Sequence, residues 1–180
     1  YFGEIHIKVL LKLKEIFDVI GFFELNNNRS KEISKKYNLK QLNLNELIKK
    51  SDVINIASET KSHFELIKLV LKQKKHLFVE KPICESTKQI KEIQKLQKIA
   101  KTHLQIGFIE RFNPAFLNLS SINLNPKSIK ATRSTLFLKR NENNSIVQDL
   151  MIHDIDIINE ILKSSPKKIT ITKKGKNNIS

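Results

Sequence analysis

The stretch VINIASETKSHFELIKLVLKQKKHLFVEKP, residues 53–82, decides the fold. Val53-Ile54-Asn55-Ile56-Ala57 and Leu77-Phe78-Val79 are short, mostly apolar runs without alternation, the pattern of strands covered on both faces in a parallel sheet. Between them Phe64, Ile67, Val70 and Leu71 recur at three-to-four spacing, which predicts a helix over 62–75, and Pro82 stops the second strand. Downstream, Ile90, Ile93, Leu96 and Ala100 form one face of a further helix with lysines on the other, and Leu104 to Phe108 forms a strand. Upstream, Ile5, Val9, Leu10, Leu13 and Ile16 predict a helix just beyond Gly3, and Val19 to Phe23 predicts a buried strand that ends at Glu24. Two shorter helices are expected, one over Ser30 to Tyr37 and one capped by Asn45. Strand-helix alternation of this kind implies an α/β fold, a Rossmann-type doubly wound parallel sheet with helices on both faces. Ligands of such sheets lie beyond the C-terminal strand ends, where Glu24, Ser58, Glu80 and Gly107 fall.

After Pro114 the texture changes. Leu117 to Lys127 is rich in Asn, Ser and Leu, Ile129 to Leu138 alternates as a strand does, Asp149 to Leu162 reads as a helix, and Ile169 to Thr172 as one more strand. Residues 1–114 are therefore expected to form one domain, and 115–180 to begin a second α/β domain with an open sheet.

The 180 residues carry a formal charge of +15, which invites a nucleic-acid reading. The make-up of that charge argues otherwise. It comes from 29 Lys and only 4 Arg, spread at helix-surface spacing, whereas base reading and bidentate phosphate grip favour the Arg fork. With 17 Asn and abundant Ile, the bias is that of a codon supply. No apolar run approaches the roughly 18 residues of a membrane helix. Cys84 is the sole cysteine and can form no internal bridge; a packed thiol is expected there, since no activating base is evident. With no secretory leader pattern either, a cytoplasmic setting is the expectation. The chain opens on Tyr1 and not on Met, as a piece of a longer protein would.

Three local patterns carry chemistry. Tyr1-Phe2-Gly3 before a helix matches the end of G-x-G-x-x-G, where the glycine allows close helix–strand packing and the helix N-terminus holds a pyrophosphate; alone, one glycine before a helix is an ordinary helix start. About twenty residues on, Glu24 matches the carboxylate that accepts from an adenosine ribose hydroxyl. Glu80-Lys81-Pro82 places an ammonium at a strand end, where it can polarise a substrate oxygen; a solvated charge pair before a turn has the same letters. In Asp149-Leu150-Met151-Ile152-His153-Asp154-Ile155-Asp156, Asp149 and His153 share a helix face with Asp156 beyond them. A carboxylate one turn from an imidazole can orient it for proton transfer; a capping Asp and a surface His explain it equally.

YFGEIH at the start, IASETKSH at 56–63, HLFVEKP at 76–82, GFIERFNP at 107–114 and DLMIHDID at 149–156 stand in the order and at about the spacing of one family. The chain resembles the Gfo/Idh/MocA family of nicotinamide-dependent sugar and polyol oxidoreductases, and the last two blocks look most like its branch of UDP-N-acetylglucosamine 3-dehydrogenase-like proteins. The resemblance implies a Rossmann domain followed by a substrate and oligomerisation domain, an NAD or NADP cofactor, a sugar, polyol or nucleotide-sugar substrate, and a homo-oligomer when full length. It implies catalytic roles for Lys81, Asp149 and His153. His153 would accept the hydroxyl proton, Lys81 would stabilise the same oxygen, and Asp149 would orient the substrate or the imidazole. Cofactor contacts are implied at Phe2, Gly3, Glu24, Ala57, Ser58, Thr60, His63, Glu80 and Lys81, and substrate contacts at Arg111, Asn113 and Asp149; a structural pairing of Arg111 with Glu110, or a tie between the two domains, fits the same letters. No metal is implied, and neither nucleic acid nor membrane is expected as a partner.

The chain departs from the family at three places. The strand and first two glycines of the fingerprint do not lie in these 180 residues, nor does most of the second sheet, so a fragment or a decaying gene is expected, and weak dinucleotide binding by the chain alone. Glu59 stands where many members have Pro. Glu24 favours NAD by repelling a 2′-phosphate, while Arg29 is close enough in sequence to offset it. A non-catalytic Rossmann-like remnant or binding module is the alternative from a second class.

Overall fold

The computed structural model describes residues 2–120, 122, 125–134 and 145–172. The chain forms two compact units, Tyr1–Gly107 and Phe108–Ser180, dividing upstream of the expected change after Pro114.

The first unit is built on three parallel strands in the order β1-β2-β3: β1 (Val53–Ile56), β2 (His76–Val79) and β3 (Leu104–Ile106). The register sets Ile54 beside Leu77 and Ile56 beside Val79, and Val79 beside Ile106. Helices α1 (Phe2–Lys12), α2 (Asn27–Tyr37), α3 (Leu44–Lys50), α4 (Thr60–Lys72) and α5 (Thr87–Ala100) accompany the sheet. Ile54, Ile56, Leu77 and Val79 pack with Ile67, Val70 and Leu71 of α4, Ile93 and Ala100 of α5 and Ile48 of α3 in one apolar core. Each such aliphatic side chain contributes about 1.5–3 kcal/mol on burial. The amphipathic spacing of α4 and α5 is what turns these residues inward, and a Ser86–Gln89 capping box fixes where α5 begins.

The segment expected as a strand at Val19–Phe23 makes only one parallel bridge, Phe22 to Gln41. Phe22 N donates to Lys40 O at 3.0 Å and Leu42 N to Phe22 O at 2.9 Å, and no further ladder follows. The neighbouring segment is a short link between α2 and α3, so there is little extended backbone to pair with. Gly21 makes the approach possible: its φ is +157°, and a Cβ there would lie 2.5 Å from the Lys40 carbonyl oxygen. Helix starts also differ from expectation. Asn26 caps α2, accepting from Asn28 N and Arg29 N, and Asn43 rather than Asn45 caps α3.

Helix α1 is joined to α2 through Glu4, which accepts from Arg29, from Lys36 Nζ at 2.8 Å and from Tyr37 Oη at 2.7 Å. The hydrogen bonds of Lys36 and Tyr37, with Arg29 beside them, hold the Glu4 carboxyl down to about 2.

The second unit is helical among its described residues. A 3-10 turn at Ile109–Phe112 leads into α6 (Pro114–Ser120), and a π-helical turn at Val147–Met151 leads into α7 (Ile152–Leu162). The helix expected over Asp149 to Leu162 thus begins as a π-turn. Of the strand expected at Ile129–Leu138, residues 129–134 are irregular and 135–138 lie outside the described residues. Ile169–Thr172, also expected as a strand, pairs with no described strand, and Ile169 and Ile171 are exposed. Among the described residues no helix is long and apolar enough to cross a membrane.

Gly21→Ala should destabilise the protein by about 2–4 kcal/mol, because the added methyl meets backbone that cannot move aside without breaking the Phe22–Gln41 bridge. Midpoints of urea unfolding measure it.

Candidate functional site

In the first unit the loops after β1 and β2 emerge side by side at the C-terminal end of the sheet. Ile56 pairs with Val79, and Glu80 N continues the ladder by donating to Ile56 O at 2.9 Å. Parallel pairing therefore places Ala57-Ser58 next to Glu80-Lys81.

A buried histidine ties these loops together. His63, in the first turns of α4, is 1% exposed; its Nδ1 lies 2.9 Å from Pro82 O and its Nε2 3.1 Å from Ser58 O. A carbonyl only accepts, so both contacts are hydrogen bonds at once when the ring carries two protons, and the neutral ring makes one of them. His63, expected as a cofactor contact, thus has both ring nitrogens turned to backbone and lies beneath the loops. Ser58 Oγ is exposed and pairs with Ser62 Oγ at 2.6 Å. Thr60 opens α4, and Glu59 in the N-cap position makes no side-chain cap bond.

Glu80 is held from three sides. His6 Nε2 of α1 donates to Glu80 Oε1 at 2.9 Å, and Asn55 Nδ2 of β1 donates to His6 Nδ1 at 2.9 Å, which fixes the ring. Lys81 N donates to Glu80 Oε2 at 3.2 Å. Gly107 closes the third side: a Cβ there would lie 3.0 Å from Glu80 Oε1. Burial pushes the Glu80 carboxyl up, but the hydrogen bond and charge of His6 and the Lys81 amide outweigh it and leave it below its ordinary value. Neither His6 nor Asn55 was singled out from the sequence. The available signal was Asn55 itself, a polar side chain inside an otherwise apolar strand, which needs a partner.

Glu24 belongs to a separate network. Its Oε1 accepts from Asn26 N at 2.9 Å and its backbone carbonyl from Gln41 Nε2 at 3.0 Å. Phe2 is exposed at the start of α1, and Gly3 lies inside that helix and not before it. The close packing expected of Gly3 has no counterpart among the described residues, since a Cβ there meets nothing within 4 Å. Cys84 is buried, which pushes its thiol up and away from nucleophilic use.

In the second unit the Arg111 fork, expected either at substrate or in a structural pair with Glu110, is filled by Asp156. Nε donates to Oδ2 at 2.7 Å and Nη2 to Oδ1 at 2.6 Å, with Glu160 at 3.3 Å. Asn113 donates to Glu110 Oε2 at 3.1 Å and accepts from Ala115 N at 3.0 Å. Asp149 sits in the π-turn and His153 in the first turn of α7, where it is buried. Among the described residues no group of three or more His, Cys, Asp or Glu is placed to hold a metal ion.

A parallel sheet whose C-terminal loops carry Ser58 and Glu80-Lys81 is a dinucleotide-binding architecture. Residues 1–108 match the oxidoreductase family with NAD-binding Rossmann fold, Gfo/Idh/MocA, and the chain belongs to this family. It is 26% identical over 148 residues to UDP-N-acetylglucosamine 3-dehydrogenase of Acidithiobacillus ferrooxidans, covering 81% of this chain and 47% of that protein. It is also 26% identical over 132 residues to inositol 2-dehydrogenase of Rhizobium meliloti, covering 67% and 39%. The solved structure of the Acidithiobacillus ferrooxidans enzyme superposes with a TM-score of 0.86 at 22% identity, over 99% of this chain and 59% of that one. A probable dehydrogenase from Thermotoga maritima gives 0.75 at 24% identity, over 92% and 53%. The chain spans about half the length of the curated relatives it matches.

The donor set fits a nicotinamide dinucleotide. Glu24 Oε2 has no partner among the described residues and can accept a ribose hydroxyl, and the Ser58 hydroxyl is exposed at the adjacent strand end.

His63→Ala should cost about 2–4 kcal/mol, since it opens a cavity under α4 and takes away the ring that lies between the Ser58 and Pro82 carbonyls. Guanidinium unfolding measures the loss.

Proposed function

We propose that the intact protein is an NAD-dependent dehydrogenase that oxidises a ring secondary hydroxyl of a sugar, polyol or nucleotide-sugar. The observation that carries this reading is the Glu80-Lys81-Pro82 loop, fixed through Glu80 and the Pro82 carbonyl beside Ser58 at the C-terminal edge of a parallel sheet. The names of two relatives, dehydrogenases of UDP-N-acetylglucosamine and of inositol, support the substrate class.

In this reading Glu24 accepts from a ribose hydroxyl, and the α1 N-terminus at Phe2 and Gly3, with Ala57, Ser58 and Thr60, lines the cofactor. When bound, the dinucleotide supplies the hydride acceptor. His153 takes the proton of the substrate hydroxyl. Lys81 stabilises negative charge that develops on a substrate oxygen, and Asp149 orients the imidazole or the substrate. Arg111 acts on substrate through Asp156, as one half of an ion pair that fixes the start of α7 relative to the 3-10 turn.

Lys81→Ala and His153→Ala should each lower turnover about a hundred- to ten-thousand-fold in the intact protein, followed as NADH formation with UDP-N-acetylglucosamine and with inositol. Near-normal turnover of both variants contradicts the assignment.

A further inference from the structure

Arg29 is the one arginine in the first unit, and it stands in the first turn of α2, next to the carboxylate read as the ribose contact. The links are short: Glu24 Oε1 accepts from Asn26 N, and Asn26 Oδ1 accepts from Arg29 N at 3.0 Å. A guanidinium at this place could grip a 2′-phosphate with two parallel hydrogen bonds. Each of its two terminal nitrogens already donates to a carboxylate, which fixes the direction of the fork. Nη1 donates to Glu32 Oε2 at 2.7 Å, and Nη2 donates to Glu4 Oε2 across the gap between α2 and α1.

We propose that Glu4 and Glu32 set the dinucleotide preference of this protein by holding the Arg29 guanidinium away from the adenosine ribose position beside Glu24. The inference rests on the dehydrogenase reading above and adds the residues that decide between NAD and NADP. Glu32 alone is an exposed i,i+3 partner and would hold little. Glu4 is the stronger anchor. It reaches Arg29 from another helix, its side chain is 14% exposed, and Lys36 and Tyr37 fix its other oxygen. Those bonds keep it ionised at any pH above about 2. The lock therefore acts twice, removing a cation that would attract the phosphate and leaving the negative Glu24 to repel it.

The test is fluorescence titration of the intact protein with NADH and with NADPH. Unsubstituted protein should bind NADH more tightly. Glu4→Gln/Glu32→Gln should move the ratio of the two dissociation constants toward NADPH by at least about tenfold, the worth of one charge-assisted pair. Adding Arg29→Ala to that variant should return the ratio to its starting value. Arg29→Ala alone should leave NADH affinity within about twofold, and because it leaves Glu4 bonded to Lys36 and Tyr37 it remains informative if the double variant unfolds. A ratio that does not move, a shift that survives loss of Arg29, or an Arg29→Ala protein that loses NADH affinity overturns the inference while leaving the dehydrogenase reading standing. Unsubstituted protein that binds neither nucleotide overturns that reading, and this inference with it.

Discussion

One buried imidazole, His63, holds the chemistry-bearing edge of the first unit together. It sits at the start of α4 and reaches a carbonyl in each of two neighbouring loops, Ser58 after β1 and Pro82 after β2. Backbone carbonyls leaving a parallel sheet have no strand to pair with, and an unpaired one in a buried setting costs about 1–3 kcal/mol. A ring placed between them donates to one carbonyl when neutral and to both when doubly protonated, and it spans the distance between the loops. The apolar contacts of Ile67, Val70 and Leu71 on the sheet set where α4 lies, and so where His63 stands. Packing thus determines the loop geometry at one remove.

The charges of the first unit follow the same logic of restraint. Glu80 is enclosed by His6, the Lys81 amide and Gly107, so the carboxylate that precedes Lys81 has little freedom, and the backbone of Lys81 is fixed with it. Two residues before His6 on the same helix, Glu4 gathers three side chains of α2 onto α1. In a chain with an excess of 15 positive charges, the half-buried Glu4 holds Arg29 and Lys36 in place. The second unit repeats this with Arg111 on Asp156 and Arg133 on Asp154, the latter at 2.8 Å.

Much of this was legible in the letters. β1, β2 and β3 could be read as short apolar runs, α4 and α5 because each carries one helical period, and the five ordered motifs placed Glu80, Lys81, Asp149 and His153 in a family context. Val19–Phe23 has the composition of β1, yet a strand needs neighbours, and composition carries no information about them. Asn26, Asn27 and Asn28 are all good helix caps, as are Asn43 and Asn45, so the residue type could not choose among them. His6, Asn55 and Glu80 come together across 49 and 74 positions of sequence, and Arg111 and Asp156 across 45, separations at which spacing rules are silent. Spacing puts Asp156, the acid partner of Arg111, on the helix face of His153 and says nothing of residue 111.

The central claim is that a dinucleotide lies against the two loops that His63 joins. Hydrogen exchange of the intact protein with and without NADH tests it directly, read at the amides of residues 57–60 and 80–83. NADH is expected to slow exchange in both segments together. Protection confined to other parts of the chain, or none at saturating NADH, would contradict it.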